Sequence, residues 1–169
     1  MHVRLATVDD ARAIETIRVY TWRAAYRHVL PAEELDALPI DETRWARRIA
    51  EPPEGWRIFV ADDGHNVFGF ACTGPSRDER GVGELYAIYV EPSSWSTGAG
   101  RALIERAEEE LAAVYEQATL WVLEDNPRAR GFYERAGWTL DGGRKAEERL
   151  GVRAPEVRYR KRLSRSRSR

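Results

Sequence analysis

Three short stretches between Glu84 and Trp138 combine residue types and spacings that can do chemistry. The middle one, Trp95-Ser-Thr-Gly-Ala-Gly100, is a turn of small residues ahead of an amphipathic run. Gly98 and Gly100 lack Cβ atoms, so their backbone can approach an anion closely and adopt positive φ. Where such a turn opens a helix, unpaired N–H groups and the positive end of the helix dipole face the same point, a ready seat for a pyrophosphate. Glu84-Leu-Tyr-Ala-Ile-Tyr-Val90 precedes it as a strand, and a second strand, Ala118–Leu123, leads into Asn126-Pro-Arg-Ala-Arg-Gly-Phe-Tyr-Glu-Arg-Ala-Gly-Trp138. The strand on one side and the Asn/Tyr segment on the other can hold the rest of a long, phosphate-tailed cofactor. An enzyme that uses an acyl-CoA needs this arrangement.

The Gly-x-Gly turn does not fit two other nucleotide signatures. The residue three after Gly100 is Leu103, not the Gly or Ala of a dinucleotide fingerprint, and no Gly-Lys-Ser/Thr follows as in a Walker A loop. Taken alone, the turn is equally a plain strand-to-helix connection. Among titratable side chains, Glu84 opens an apolar strand, where a carboxylate is either a solvated end or a base; Glu91 and Glu124 are less well placed. His28 and His65 fall in a helix end and a hairpin loop. Cys72, the single cysteine, sits on an apolar strand and reads as inert core. No metal-ligand cluster stands out.

The elements that must position these residues follow from periodicity. Val3 and Leu5 suggest a short opening strand, and Thr7 with Asp10 resembles a capped helix start. Ile14, Ile17, Thr21, Trp22, Ala25 and Val29 keep helical spacing. Pro31 opens a short helix through Leu38, and Asp41 caps a third that runs to about Ala50, before Pro52-Pro53. Trp56–Ala61 and Val67–Cys72 form a hairpin about a turn at 62–66. Leu103, Ala107, Leu111 and Val114 make a core-facing stripe on the helix after the glycine turn. A helix over about 127–136, a strand at Trp138–Leu140 and a last strand near Glu156–Arg162 complete the order, which predicts a mixed α/β sheet. If no bulge intervenes, alternation places Glu84, Tyr86, Ile88 and Val90 on one face.

The chain has 169 residues, 43% apolar and 33% charged, enough for one domain with a real core and no staples. Residues 1–163 are predicted to form that domain, and 164–169 a solvated Ser/Arg tail. One cysteine allows no intrachain disulfide, the opening residues lack a signal-peptide profile, and no window is apolar enough to span a membrane. These features predict a cytoplasmic protein. Removing the three arginines of the tail from the net charge of −1 leaves a body of −4, which argues against nucleic-acid binding.

The strand, glycine turn and helix resemble the signature of the GNAT (GCN5-related) N-acetyltransferase superfamily, in which Arg/Gln-x-x-Gly-x-Gly/Ala follows a strand. Asn126, Ala129, Phe132-Tyr133 and Ala136-Gly137-Trp138 are similar to that family's Asn-x-x-Ala-x-x-Phe-Tyr-x-x-x-Gly-Phe segment. The resemblance covers about residues 56–162 well and the opening more loosely. It implies a mostly antiparallel central sheet flanked by helices, acetyl-CoA as cofactor, and acetyl transfer to a primary amine of a small molecule or peptide by direct attack in a ternary complex. It further implies that residues 95–101 (Trp95, Ser96, Thr97, Gly98, Ala99, Gly100 and Arg101) hold the pyrophosphate, and that Ile88, Tyr89 and Val90 serve the pantetheine arm, with the Ile88 N–H at the thioester carbonyl. Asn126, Ala129, Arg130, Phe132 and Tyr133 would contact the cofactor from the other side. Tyr133 would protonate the leaving thiolate, Glu84 would act as base or water-positioner, and Trp22, Tyr26 and Tyr86 would line the acceptor cleft. The family often forms homodimers.

Two positions depart from the pattern: Trp95 replaces the usual Arg or Gln, and Ser96 a common glycine. Backbone N–H groups do most of the binding there, so the turn can still function, and Arg101, Arg128 or Arg130 can supply the missing charge. The competing reading is a non-catalytic acyl-CoA-binding sensor on the same fold. A third, nucleic-acid binding through the arginine tail, predicts salt-sensitive binding lost with residues 164–169.

Overall fold

Runs rich in β-branched and aromatic residues assemble into one seven-stranded sheet in a computed structural model, which describes residues 1–164. The strands are β1 (His2–Leu5), β2 (Arg57–Asp62), β3 (Val67–Pro75), β4 (Gly83–Val90), β5 (Gln117–Leu123), β6 (Thr139–Arg149) and β7 (Val152–Arg162), in spatial order β1-β2-β3-β4-β5-β7-β6. Every neighbouring pair is antiparallel except β4 and β5, which are joined by a crossover helix. The helices are α1 (Ala11–Ala25), α2 (Ala32–Asp36), α3 (Thr43–Ala50), α4 (Ala99–Ala112) and α5 (Pro127–Arg135).

The two faces of the sheet carry separate cores. On one face Ala11, Ile14 and Ile17 of α1 and Trp45 of α3 pack on Ile58, Val60, Phe70 and Cys72. On the other, Leu103, Ile104, Ala107 and Leu111 of α4 meet Phe59, Leu120, Trp138 and Tyr159. The predicted α4 stripe holds through Leu111, but Val114 is exposed, because the helix ends at Ala112 and the chain turns there toward β5. Thr7 and Asp10 form the expected box, with the Thr7 N–H donating to Asp10 Oδ2 at 2.7 Å, although the first turn is a 3-10 helix. Asp41 accepts from the Thr43 N–H at 3.0 Å ahead of α3.

The chain after Gly137 forms more sheet than the sequence pattern predicts. β6 extends from Thr139 to Arg149, and Leu150 (φ 48) with Gly151 (φ 76) makes the two-residue turn into β7. Two consecutive positive φ values match the twist of a tight hairpin, which favours this turn. The expected Ser/Arg tail lies almost wholly outside the described residues. No helix among the described residues is long and apolar enough to cross a membrane.

Candidate active site

The parallel pair β4 and β5 holds together at one end only. Its register comprises Gly83↔Ala118 and Glu84↔Thr119, and beyond these the strands part. The Glu91 N–H donates to Phe68 of β3 at 2.9 Å. Backbone direction alternates along a strand, so Tyr89 faces β3 while Ile88 and Val90 turn their N–H and C=O groups toward the gap. The Val90 carbonyl on that side accepts from Trp95 Nε1 at 2.8 Å and from Thr21 Oγ1 at 3.2 Å. A cleft of about 460 Å³ fills the gap and continues to the turn before α4 and to the first residues of α5.

That turn is shaped by two left-handed residues, Ser96 (φ 65) and Gly98 (φ 94), the latter capping α4. Ser96, Gly98, Gly100 and Arg101 line the cleft. A Cβ on Gly100 would stand 3.2 Å from the Phe132 ring, so glycine there lets α4 and α5 approach. Thr97 turns its hydroxyl back onto the Ser94 carbonyl at 2.7 Å, and Ala99 is buried. Arg128 lies over the Trp95 indole, 4.0 Å from its ring centroid, and also lines the cleft. Asn126 caps α5, its side-chain oxygen accepting from the Ala129 N–H at 3.2 Å, while lining the cleft as well. Arg130 points elsewhere, to the Tyr159 hydroxyl at 3.0 Å and the Glu124 carbonyl at 3.1 Å.

Tyr133 is the buried member of the Phe132-Tyr133 pair, and Phe132 is only partly buried beside it. The Tyr133 ring reaches the cleft, and burial pushes its phenol well above the ordinary tyrosine value, with Tyr89 adding to the shift. It therefore stays a proton donor at neutral pH.

The expected shared face of Glu84, Tyr86, Ile88 and Val90 is broken by a bulge. Cys72 pairs with Ala87 and Thr73 with Leu85, which makes Tyr86 an extra residue in β4. Leu85, Ile88 and Val90 consequently face α4, and Tyr86, Ala87 and Tyr89 face α1. Glu84 is fully buried at the joined end of the gap and is not among the cleft residues. Arg77 occupies both its oxygens: Oε2 accepts from the Arg77 N–H at 2.9 Å and Oε1 from Nε at 3.1 Å. A carboxylate committed in this way is part of the sheet's framework, not a free proton acceptor in the cleft.

The residues expected at the acceptor side are brought together, in unequal roles. Tyr26 lines the cleft, and burial holds its phenol well above the ordinary value. Tyr86 lines it too, with its hydroxyl donating to the Pro75 carbonyl and its ring stacked 4.4 Å from Trp56. Trp22 is absent from the lining; it braces Tyr26 edge-on at 5.3 Å and donates to the Tyr89 hydroxyl at 3.2 Å. Two cleft residues, Arg149 and Glu156, are not predicted as site residues, because the sequence shows only two short strands where the structure has the long β6–β7 hairpin. A lone acid opening a strand was the available signal for Glu156. Among the described residues no group of His, Cys, Asp and Glu is placed to hold a metal.

Residues 16–138 match the acetyltransferase (GNAT) family. The chain belongs to this family. It is accordingly an acetyl-CoA-dependent N-acetyltransferase. The uncharacterized N-acetyltransferase YuaI of Bacillus subtilis is 37% identical over 131 residues, which span 74% of this chain and 73% of the relative. The fold is shared with the PaiA N-acetyltransferase of Thermoplasma acidophilum solved in complex with coenzyme A (TM-score 0.77, 14% identity, 96% of this chain and 98% of that one). It is also shared with a phosphinothricin acetyltransferase from Sinorhizobium meliloti in complex with acetyl-CoA (TM-score 0.73, 22% identity, 96% and 88%). The enzyme's own residues fit coenzyme A: the turn at 96–100 opens into the cleft, Arg128 stands beside it, and the parted strand turns the Ile88 and Val90 N–H groups toward it.

Proposed function

We propose that this acetyltransferase moves an acetyl group directly from acetyl-CoA to a primary amine of a small molecule or peptide, with both substrates bound at once. One observation carries the reading: β4 and β5 part beyond Glu84 and Thr119, so that a single cleft joins the phosphate turn, the Ile88 and Val90 backbone and the Tyr133 phenol. Acetyl-CoA supplies an acyl group activated as a thioester. The backbone N–H groups at 96–101 and the Arg128 guanidinium hold the anionic end. The Ile88 N–H donates to the carbonyl oxygen as charge develops there, a contribution of roughly 3 kcal/mol for one well-placed donor. The acceptor ammonium gives one proton to solvent before it attacks; as the C–N bond forms and the C–S bond breaks, Tyr133 gives its proton to the departing sulfur and recovers the amine's second proton through solvent.

Direct attack is favoured over a covalent relay because Cys72 is buried in the core, with burial pushing its thiol up to about 12. The Glu84 geometry speaks against it as the base. We place the enzyme in the cytoplasm, acting on a diffusible amine rather than on nucleic acid. The test is thiol release from acetyl-CoA by the full chain across a panel of primary amines. Amine-dependent release is expected. Protection by coenzyme A with no release from any amine would establish the non-catalytic binder instead.

A further inference from the structure

The acceptor side of the cleft holds two buried polar atoms without partners, and they belong to one ion pair. Glu156 stands on β7 opposite Leu123, is 3% exposed, and lines the cleft. Its Oε1 accepts from Arg149 Nη2 at 3.0 Å, whereas its Oε2 is buried with no hydrogen bond. Arg149 Nε is likewise buried and unpartnered. The surrounding charges are already matched. Lys145 Nζ is 3.9 Å from Glu156 Oε2 but is bonded to Glu147 at 2.7 Å, and Glu147 is also 3.7 Å from Arg149. Two carboxylates and two cations leave the cluster neutral, with one vacant acceptor and one vacant donor.

The pair is also held in place. Arg149 is the last residue of β6 before the Leu150-Gly151 turn, and its guanidinium lies 5.4 Å from the Trp22 ring centroid. A buried donor or acceptor left unpaired is costly, and one that a ligand can satisfy becomes a recognition element.

We infer that Arg149 and Glu156 form the head-group site for an acceptor bearing an α-amino group beside a carbonyl or carboxylate oxygen. The ammonium is directed to the Glu156 carboxylate and the adjoining oxygen to the Arg149 guanidinium, both of which line the cleft. The 3.0 Å hydrogen bond between them sets a guanidinium and a carboxylate next to each other, matching the short span of that head group. A neutral cluster suits a head group whose charges also balance. Free amino acids and peptide N-termini share this chemistry. The inference rests on the acetyl-transfer reading and narrows its substrate class.

Calorimetry on the full chain saturated with coenzyme A tests it without requiring turnover. The probes are L-alanine, L-methionine, L-phenylalanine and L-glutamate, the amide of each, and the four decarboxylated amines. At least one acid or amide should bind at least about tenfold tighter than its matched amine. Preference for the acid identifies free amino acids, and preference for the amide identifies peptide ends. Glu156→Gln should weaken that binding at least about tenfold with coenzyme A uptake unchanged, and Glu156→Asp should recover part of it. Arg149→Lys, which keeps the charge and removes Nε, should erase the acid-over-amine preference and serves if the Glu156 variants do not fold. Equal binding of acids, amides and amines, binding of none, or a Glu156→Gln protein that binds as the parent does would each overturn the inference while leaving the acetyl-transfer reading intact. Failure to take up coenzyme A would remove both.

Discussion

Arg128, at the start of α5, lays its guanidinium 4.0 Å from the centroid of Trp95, in the turn before α4. This contact joins two walls of the cleft, and on the proposed reading it accounts for tryptophan at the position where the family usually has Arg or Gln. The indole cannot supply charge, but its face positions a cation that comes from another element. Arg128→Ala should therefore weaken coenzyme A binding about tenfold, with a smaller salt dependence in the variant. Calorimetric titrations at two ionic strengths check this; unchanged affinity would leave Trp95 and Arg128 as surface packing.

Gly98 tests the turn itself. At φ 94 it occupies backbone space that side-chain-bearing residues rarely adopt. Gly98→Val should cost about 1–3 kcal/mol in urea unfolding and should also lower coenzyme A affinity, because the strained turn re-aims its N–H groups. A variant as stable and as tightly binding as the parent contradicts that reading.

Tyr133→Phe should lower turnover by roughly 10²-fold or more with coenzyme A affinity little changed, since only the proton donor is removed. The same phenol makes a pH prediction. In the unfolded chain it titrates near 10, about the ordinary value, and in the folded protein higher. Its stabilising contribution is thus complete below about pH 10 and is lost as pH rises from there through the folded value. Urea midpoints from pH 9 to 11 should fall, and fall less steeply in Tyr133→Phe. A turnover profile with a Tyr133-dependent alkaline limb below pH 9 would be inconsistent with so protected a proton.

Arg77 and Glu84 separate framework from chemistry. Removing the arginine leaves a fully buried carboxylate with only backbone support. Arg77→Ala should destabilise by about 2 kcal/mol, less than the roughly 3–5 of a fully buried pair because the Arg77 side chain is 55% exposed. Glu84→Gln should retain turnover within about threefold once folded, because its carboxylate is not in the cleft. A loss of 10²-fold with intact coenzyme A binding would restore Glu84 as the base.

Much of this architecture is legible in the sequence because its signals are local. Strands β2 to β5 declare themselves through apolar runs, and α4 and α5 through a glycine turn and an Asn-Pro start. The glycine turn at 95–100 is legible for the same reason. What is hidden depends on tertiary context. The Tyr86 bulge shows only as a register shift against β3, and it moves Glu84 to the other face. The β6–β7 hairpin is disguised by Asp141-Gly-Gly-Arg-Lys145, a polar, glycine-bearing stretch that reads as a loop until its partner strand is seen. Arg149 is hidden with it, and Glu156, at the start of the predicted last strand, shows no sign in the sequence of facing the cleft.

The most direct measurement is a calorimetric titration of the purified full chain with coenzyme A, alongside Arg128→Ala and Gly98→Val. The structure predicts saturable uptake of one equivalent by the parent and weaker uptake by both variants. No uptake at millimolar coenzyme A by well-folded protein, or equal uptake by all three, would contradict the assignment of the parted β4–β5 cleft and the 96–101 turn as the cofactor site.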